Sequence, residues 1–334
     1  MRAWTTGLIA GIVGLVALAC GGGGGGTDAA LTDLPAADVS EVGPDAAVDA
    51  VSDAAADEAD AAVLPWVPDA PVPAELLFPE LTSSEGIAVD DQGRFLLTAN
   101  DALMRLAPGG TPEKLVDIPL APDQTAVGYA GLAWHPSWGA VFAQTTGSRL
   151  FRWTEDLGLV QIGDPIGGGP NGVLFDAEGH CLVSLSVDNA LVRLDTPEAE
   201  PVTLATGIPF ANGLALSADG TVLYVASTSE GAVYQVPLAG EPPYAPTLLK
   251  KDALLASADG LLLSPDGWLL VAGWAKGRIV ALSPDTLETR VVSDQPAADL
   301  KFVASLAFGP GGDLDPRCLF GTRLHMPGLV RVCP

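Results

Sequence analysis

The chain has 334 residues, 48% of them hydrophobic and 17% charged, with a net charge of −25. That excess of acid leaves no basic face, which excludes nucleic acid as a partner. A sizeable core is permitted, and 39 glycines with 28 prolines favour many short strands over long helices.

In chain order, Arg2 precedes an apolar run from Gly7 to Ala19. The run is too short to span a bilayer, which takes about 20 helical residues, but it fits the core of a signal peptide. It ends in Ala17-Leu18-Ala19-Cys20, and six glycines follow. This resembles the lipobox of bacterial lipoproteins, whose cysteine is acylated and becomes the new N-terminus; Ala17 stands where leucine is usual. The alternative is an ordinary secretory signal cleaved nearby. On the lipobox reading, residues 1–20 are a lipoprotein signal peptide and the exported protein is held to a bacterial membrane by lipid on Cys20. Gly21 is not the aspartate associated with inner-membrane retention, so the outer membrane is favoured, with the domain in the periplasm or at the cell surface.

Residues 21–72 contain no Lys or Arg, and their spaced acids, among them Asp28, Asp33, Asp38, Asp45, Asp49 and Asp53, repel one another. They are expected to form a disordered Gly/Ala/Asp/Pro-rich linker. The folded domain is expected over 73–334.

From Glu85 onward one unit recurs six times: a polar or small residue, then Gly, a short apolar strand, a Gly-containing turn, a second apolar strand and two weaker strands. The six starts are Glu85-Gly86, Ala130-Gly131, Asn171-Gly172, Asn212-Gly213, Asp259-Gly260 and Ala304-Ser305, at intervals of 41–47 residues. That is the length of a four-stranded propeller blade, so the fold expected is an all-β, six-bladed β-propeller. The sixth unit has room for only three strands before Pro334. Ala74–Pro79 (AELLFP) is therefore expected to supply its outer strand and close the ring, removing an exposed edge. If 319–323 and 329–333 form a hairpin, Cys318 falls opposite Cys333, within disulfide reach in an oxidising compartment. Cys181, in a second strand, reads as a buried small hydrophobe. The domain is read as a monomer; the sequence does not identify a protein partner.

The residue before each repeated Gly or Ser leads into the innermost strand, so all six copies face the central channel at one end. Glu85, Asn171, Asn212 and Asp259 carry oxygen ligands there; Ala130 and Ala304 do not. Two carboxylates and two amides, without Cys or His, make a hard-oxygen site that a divalent cation, Ca²⁺ above all, would neutralise. Asn-Gly and Asp-Gly are also ordinary turn pairs, but Glu is not a turn former.

At these residues the pattern, from about Glu85 to Pro334, resembles the SMP-30/gluconolactonase/LRE family of six-bladed, calcium-dependent propeller hydrolases. The most specific stretches are Phe210-Ala211-Asn212-Gly213-LALSADGTVLYVA and Ala258-Asp259-Gly260-LLLSPDGWLLVAG. The resemblance implies that Glu85, Asn171, Asn212 and Asp259 are the metal ligands and that Asp259 is also the base or nucleophile. One departure stands out. Many family sugar lactonases read Arg-Pro-Asn-Asp-Gly at the start of the third blade, where this chain reads Gly169-Pro170-Asn171-Gly172. That counts against a sugar lactone.

Propeller connectivity places the turn between strands one and two opposite the metal, and the loop between strands two and three beside it. His135 and His180 are therefore expected to be structural. His325, in GTRLHMPG, is the histidine placed to move protons at the site. Asn100, Asp101, Gln144, Trp274, Lys276 and Arg323 are expected around the mouth as substrate-lining residues. The reaction expected is metal-dependent hydrolysis of a lactone or related ester, a small-molecule substrate. No GxSxG elbow points to a serine route. Two other readings stay open: a non-catalytic extracytoplasmic propeller that binds a ligand or protein around a structural calcium, and a surface-display protein.

Overall fold

Short apolar segments, buried along their whole length in the second strands Phe95–Ala99, Gly139–Gln144, Cys181–Leu185, Leu269–Gly273 and Leu319–Arg323, pair as antiparallel ladders with both faces covered. A computed structural model of the protein describes residues 66–99, 101–119, 128–295 and 300–334. It shows six four-stranded antiparallel sheets. The inner strands are Ser84–Val89, Tyr129–His135, Pro170–Phe175, Ala211–Leu216, Ala258–Leu263 and Val303–Phe308. Each packs beside the inner strand of the next blade, and the first lies against the sixth, so the sheets form a ring.

The repeated glycine follows from this packing. A Cβ on Gly172 would strike the Asn212 carbonyl oxygen of the next blade, and one on Gly213 would strike that of Asp259. At these positions the inner strands converge too closely for a side chain, and only the sixth blade, with Ser305, departs from glycine. Two of the hairpin turns rest on positive φ, +70° at Gly220 and +82° at Gly267.

The sixth sheet takes its outer strand from the other end of the domain. Ala74–Leu77 pairs antiparallel with Leu329–Val332, which pairs in turn with Leu319–Arg323. Leu319 lies opposite Val332, which brings the flanking Cys318 and Cys333 together, and their sulfurs are bonded with Cα atoms 4.3 Å apart. Phe95 of the first blade and Phe320 of the sixth, both buried, pack with ring centroids 5.1 Å apart across the junction. Cys181 is buried and unbonded, and its burial pushes the thiol pKa up.

Packing starts before the boundary expected at residue 73. Trp66 and Val67 are buried. The Trp66 indole N–H donates to the Arg317 carbonyl at 2.9 Å, its amide to Asp266 Oδ2 at 2.8 Å, and its ring meets Phe308 edge-on at 5.3 Å. Val72 extends the contact: its amide donates to the Val292 carbonyl, and its own carbonyl accepts from Ser293 Oγ. Residues 66–72 therefore lie along the fifth and sixth blades and do not belong to an extended linker. One tryptophan outweighs the polar composition around it because it buries a large apolar area and satisfies its N–H. Trp66→Ala should lower stability by about 3 kcal/mol, read as a shift in the urea midpoint at unchanged slope. An unchanged midpoint would mean that the segment is not packed.

Candidate active site

All six inner strands break register at the same place. The ladder skips between Ser84 and Ile87, between Pro170 and Val173, between Ala211 and Leu214, and between Ala258 and Leu261, with matching skips in the second and sixth blades. A bulge of this kind turns a side chain out of the pleat and leaves an amide without a ladder partner. The residue it turns out is the one before the repeated glycine. Glu85, Asn171, Asn212 and Asp259 accordingly line a single axial cavity of ≈ 680 Å³. Each is at most 8% exposed.

The freed amides are taken up by hydroxyls on the second strands. Gly86 N–H donates to Thr98 Oγ1 and Gly172 N–H to Ser184 Oγ, both at 2.8 Å, and Ser305 N–H donates to Thr322 Oγ1 at 3.0 Å. All three hydroxyls reach on to the neighbouring blade, Thr98 through a longer bond of 3.4 Å to the Ala130 carbonyl. Ser184 donates to the Asn212 carbonyl and Thr322 to the Glu85 carbonyl, so each holds the backbone of an axial residue. A second hydroxyl series works one step earlier in the chain. Thr145 donates to the Pro170 carbonyl at 2.8 Å, Ser186 to that of Ala211 at 2.7 Å, and Thr228 to that of Ala258 at 2.6 Å. Thr228 Oγ1 also accepts from Asn212 Nδ2 at 3.0 Å. It therefore links one axial side chain to the backbone that presents Asp259.

The electrostatics are those of a cation site. Burial, and then the nearby Asp259 charge, hold the Glu85 carboxyl well above its ordinary pKa. Burial pushes Asp259 up to about 7, against the lowering effect of a hydrogen bond from Asn212. Among the described residues no basic side chain is ion-paired with either carboxyl. Two buried carboxyls without a counter-charge, flanked by two amide oxygens, form a donor set that suits a hard divalent cation.

The other expected site residues divide. His325 and Trp274 line the cavity. The His325 amide donates to Ser83 Oγ at 2.8 Å, and its ring lies edge-on to Trp274 at 6.2 Å. Gln144 and Arg323 do not line it. Gln144 is fully buried and donates to the Pro119 carbonyl, while Arg323 is 3% exposed and donates to the Pro327 carbonyl. Both are the last residue of a second strand, and strand parity turns that position between blades. The cavity wall is formed instead by the residue after it: Thr145, Thr228, Trp274 and Leu324. Asp101 is exposed outside the cavity, and Lys276 lines a neighbouring depression with Glu230 and Lys251. Asn100 and Cys20 lie outside the described residues.

The sequence reading also missed Ser83, Ser84 and Phe210 on the cavity wall. The Ser84 hydroxyl, beside Glu85, is buried without a hydrogen-bond partner. His135 and His180 sit at the far end of their blades. His135 stacks on Phe175 at 4.9 Å. His180 Nδ1 meets Asp176 Oδ2 at 2.8 Å. Asp176, Glu178 and His180 bring potential ligand atoms within 4.8 Å of one another, but Asp176 Oδ1 is engaged in closing the turn by accepting the Glu178 and His180 amides.

The family model described as SMP-30/Gluconolactonase/LRE-like region matches residues 76–316. No curated protein sequence matches the chain. Among solved structures, a gluconolactonase from Xanthomonas campestris is 16% identical, with a TM-score of 0.60 over 77% of this chain and 88% of the other. Virginiamycin B lyase from Staphylococcus aureus is 15% identical, with a TM-score of 0.56 over 75% and 82%. A chain of a nidogen/laminin complex is 15% identical, with a TM-score of 0.56 over 69% and 85%. At these identities the likeness is one of fold, and the fold by itself does not choose among hydrolysis, elimination and binding.

Proposed function

The chain belongs to the SMP-30/gluconolactonase/LRE-like family, and from that premise we propose that it hydrolyses a lactone or related ester at the axial cavity, using a divalent cation. The observation that carries the proposal is the convergence of Glu85 and Asp259 with Asn171 and Asn212 in one cavity, with both carboxyls buried and uncompensated. These four residues would hold the ion, and their hard oxygens favour calcium. Bound there, it would supply Lewis-acid polarisation of an ester carbonyl.

The rest of the chemistry falls to the chain. The Asp259 carboxylate accepts a proton from water as the water oxygen adds to the carbonyl carbon. The bond from that carbon to the ring oxygen then breaks, and the departing oxygen takes up the proton from Asp259 or from the His325 imidazole at the rim. Direct attack by Asp259 on the carbonyl carbon is the second route open to this geometry. The Ser84 hydroxyl, unpartnered beside Glu85, can donate to a substrate oxygen. Trp274 and Leu324 keep water from the walls.

The test is turnover of a lactone panel by the purified chain with calcium and with a chelator. Calcium-dependent hydrolysis supports the proposal; metal binding without hydrolysis of any member would leave a binding propeller. Thr228 acts through its neighbours. Thr228→Val should weaken calcium affinity about 10-fold while costing about 1 kcal/mol of stability, measured by titration calorimetry and urea unfolding. Unchanged affinity would deny it a positioning role. The placement proposed for the domain is extracytoplasmic, held through lipid on Cys20, and metabolic labelling with a fatty acid that is lost in Cys20→Ser checks it.

A further inference from the structure

We infer that the axial cavity selects ligands with an apolar acyl or aryl portion over polyhydroxylated ones. This deepens the hydrolytic reading and rests on it. The cavity separates its chemistry by depth. Its floor holds the two carboxyls and two amides, while Phe210, Trp274, Leu324 and His325 form much of its wall. Behind the wall lies Phe302, with ring centroids 5.4 Å from Trp274 and 5.8 Å from His325, so three aromatic rings brace one another on one side.

Phe210 stands apart from that group, 42% exposed at the mouth and in the left-handed backbone region at φ +48°. Phe302 occupies the same repeat position at φ +63°, where the third blade has Gly169. A bulky side chain there is strained, and such strain concentrates at ligand sites. The fold thus tolerates strained aromatics, one of them half-open to solvent, around a concave site.

Two of the wall hydroxyls argue the same way. The protons of Thr145 and Thr228 are directed to the Pro170 and Ala258 carbonyls, and Ser83 Oγ receives the His325 amide. Thr146 Oγ1 likewise accepts the Gly128 amide, and Ser84, beside Glu85, is buried without a hydrogen-bond partner. A polyol would bury part of its hydroxyls against the Phe210 and Trp274 rings and Leu324, none of which offers an oxygen to accept their protons, and that is costly. An alkyl or aryl group instead gains by leaving water, and ≈ 680 Å³ is ample for an ester with such a group attached.

The experiment is a substrate series on the calcium-loaded full chain: γ-lactones with alkyl groups of increasing length, a bicyclic aryl lactone and a polyhydroxylated six-membered lactone. The expected result is a kcat/KM that rises roughly fourfold per added methylene until the cavity fills, with the polyhydroxylated compound slowest. Phe210→Ser and Trp274→Ala should flatten the rise. A flat series, or preference for the polyol, overturns the inference and leaves the hydrolytic reading standing. If nothing is hydrolysed, the hydrolytic reading fails, and selectivity is read instead from tryptophan quenching by the corresponding lactams. Saturable binding of the aryl lactam, lost in Trp274→Ala, supports the inference; equal binding of the polyhydroxylated lactam, or no binding, overturns it.

Discussion

Asp259→Asn is expected to lower kcat by about 10²- to 10⁴-fold, the usual contribution of a positioned general base, and excess calcium should not restore it. The substitution keeps an oxygen for the ion but removes the group that accepts a proton. Glu85→Gln should behave differently. Glu85 shares the floor of the cavity with Asp259, but no proton transfer is assigned to it. Its loss should weaken calcium affinity by more than about 100-fold, with turnover recovering at high calcium. Steady-state rates against calcium concentration separate the two variants. If Asp259→Asn retained wild-type kcat, or if neither substitution altered calcium dependence, the assignment of roles would fail.

The second large effect is on stability. In the metal-free protein Glu85 and Asp259 have folded pKa values raised by burial, Asp259 to about 7. A raised carboxyl pKa means that the folded state binds its proton more tightly than the unfolded state does. Its contribution is therefore fully present below the unfolded pKa and is lost as pH rises through the folded one. The metal-free Tm should fall between pH 4 and pH 8, on the order of 10 °C, and calcium should reverse the loss at the alkaline end. Calcium binding displaces the protons, so its stabilisation should grow from pH 5 to pH 8. Among the described residues the carboxyls lining the cavity are Glu85 and Asp259, and Glu85→Gln should flatten the profile. A calcium-induced shift of equal size at both pH values would contradict this account of the charges.

The ring and its axial residues were legible because the sequence states them six times. Aligning the units puts Glu85, Asn171, Asn212 and Asp259 in one column, and a ring brings a column to one place. The column beside it was equally available but was read correctly only at Trp274. Gln144 and Arg323 end their strands and were expected at the mouth, but Thr145, Thr228, Trp274 and Leu324, each one residue beyond a strand's end, form the wall. A period of two makes a slip of one residue decisive. The hydroxyls Thr98, Ser184 and Thr322 were not legible in the same way. Their role depends on an amide freed by a bulge, and a sequence pattern does not show a bulge. Trp66 was hidden for another reason: a single packed aromatic barely alters the composition of a segment otherwise rich in Ala, Asp and Pro.

The most direct measurement is anomalous diffraction from a crystal of the protein grown with calcium and soaked with a lanthanide. The result expected is one strong axial peak within about 2.6 Å of carboxylate oxygens of both Glu85 and Asp259, displaced by excess calcium. An axis without a peak under these conditions, or an ion bound elsewhere while the two carboxyls stay protonated, would contradict the assignment of this cavity as the metal centre.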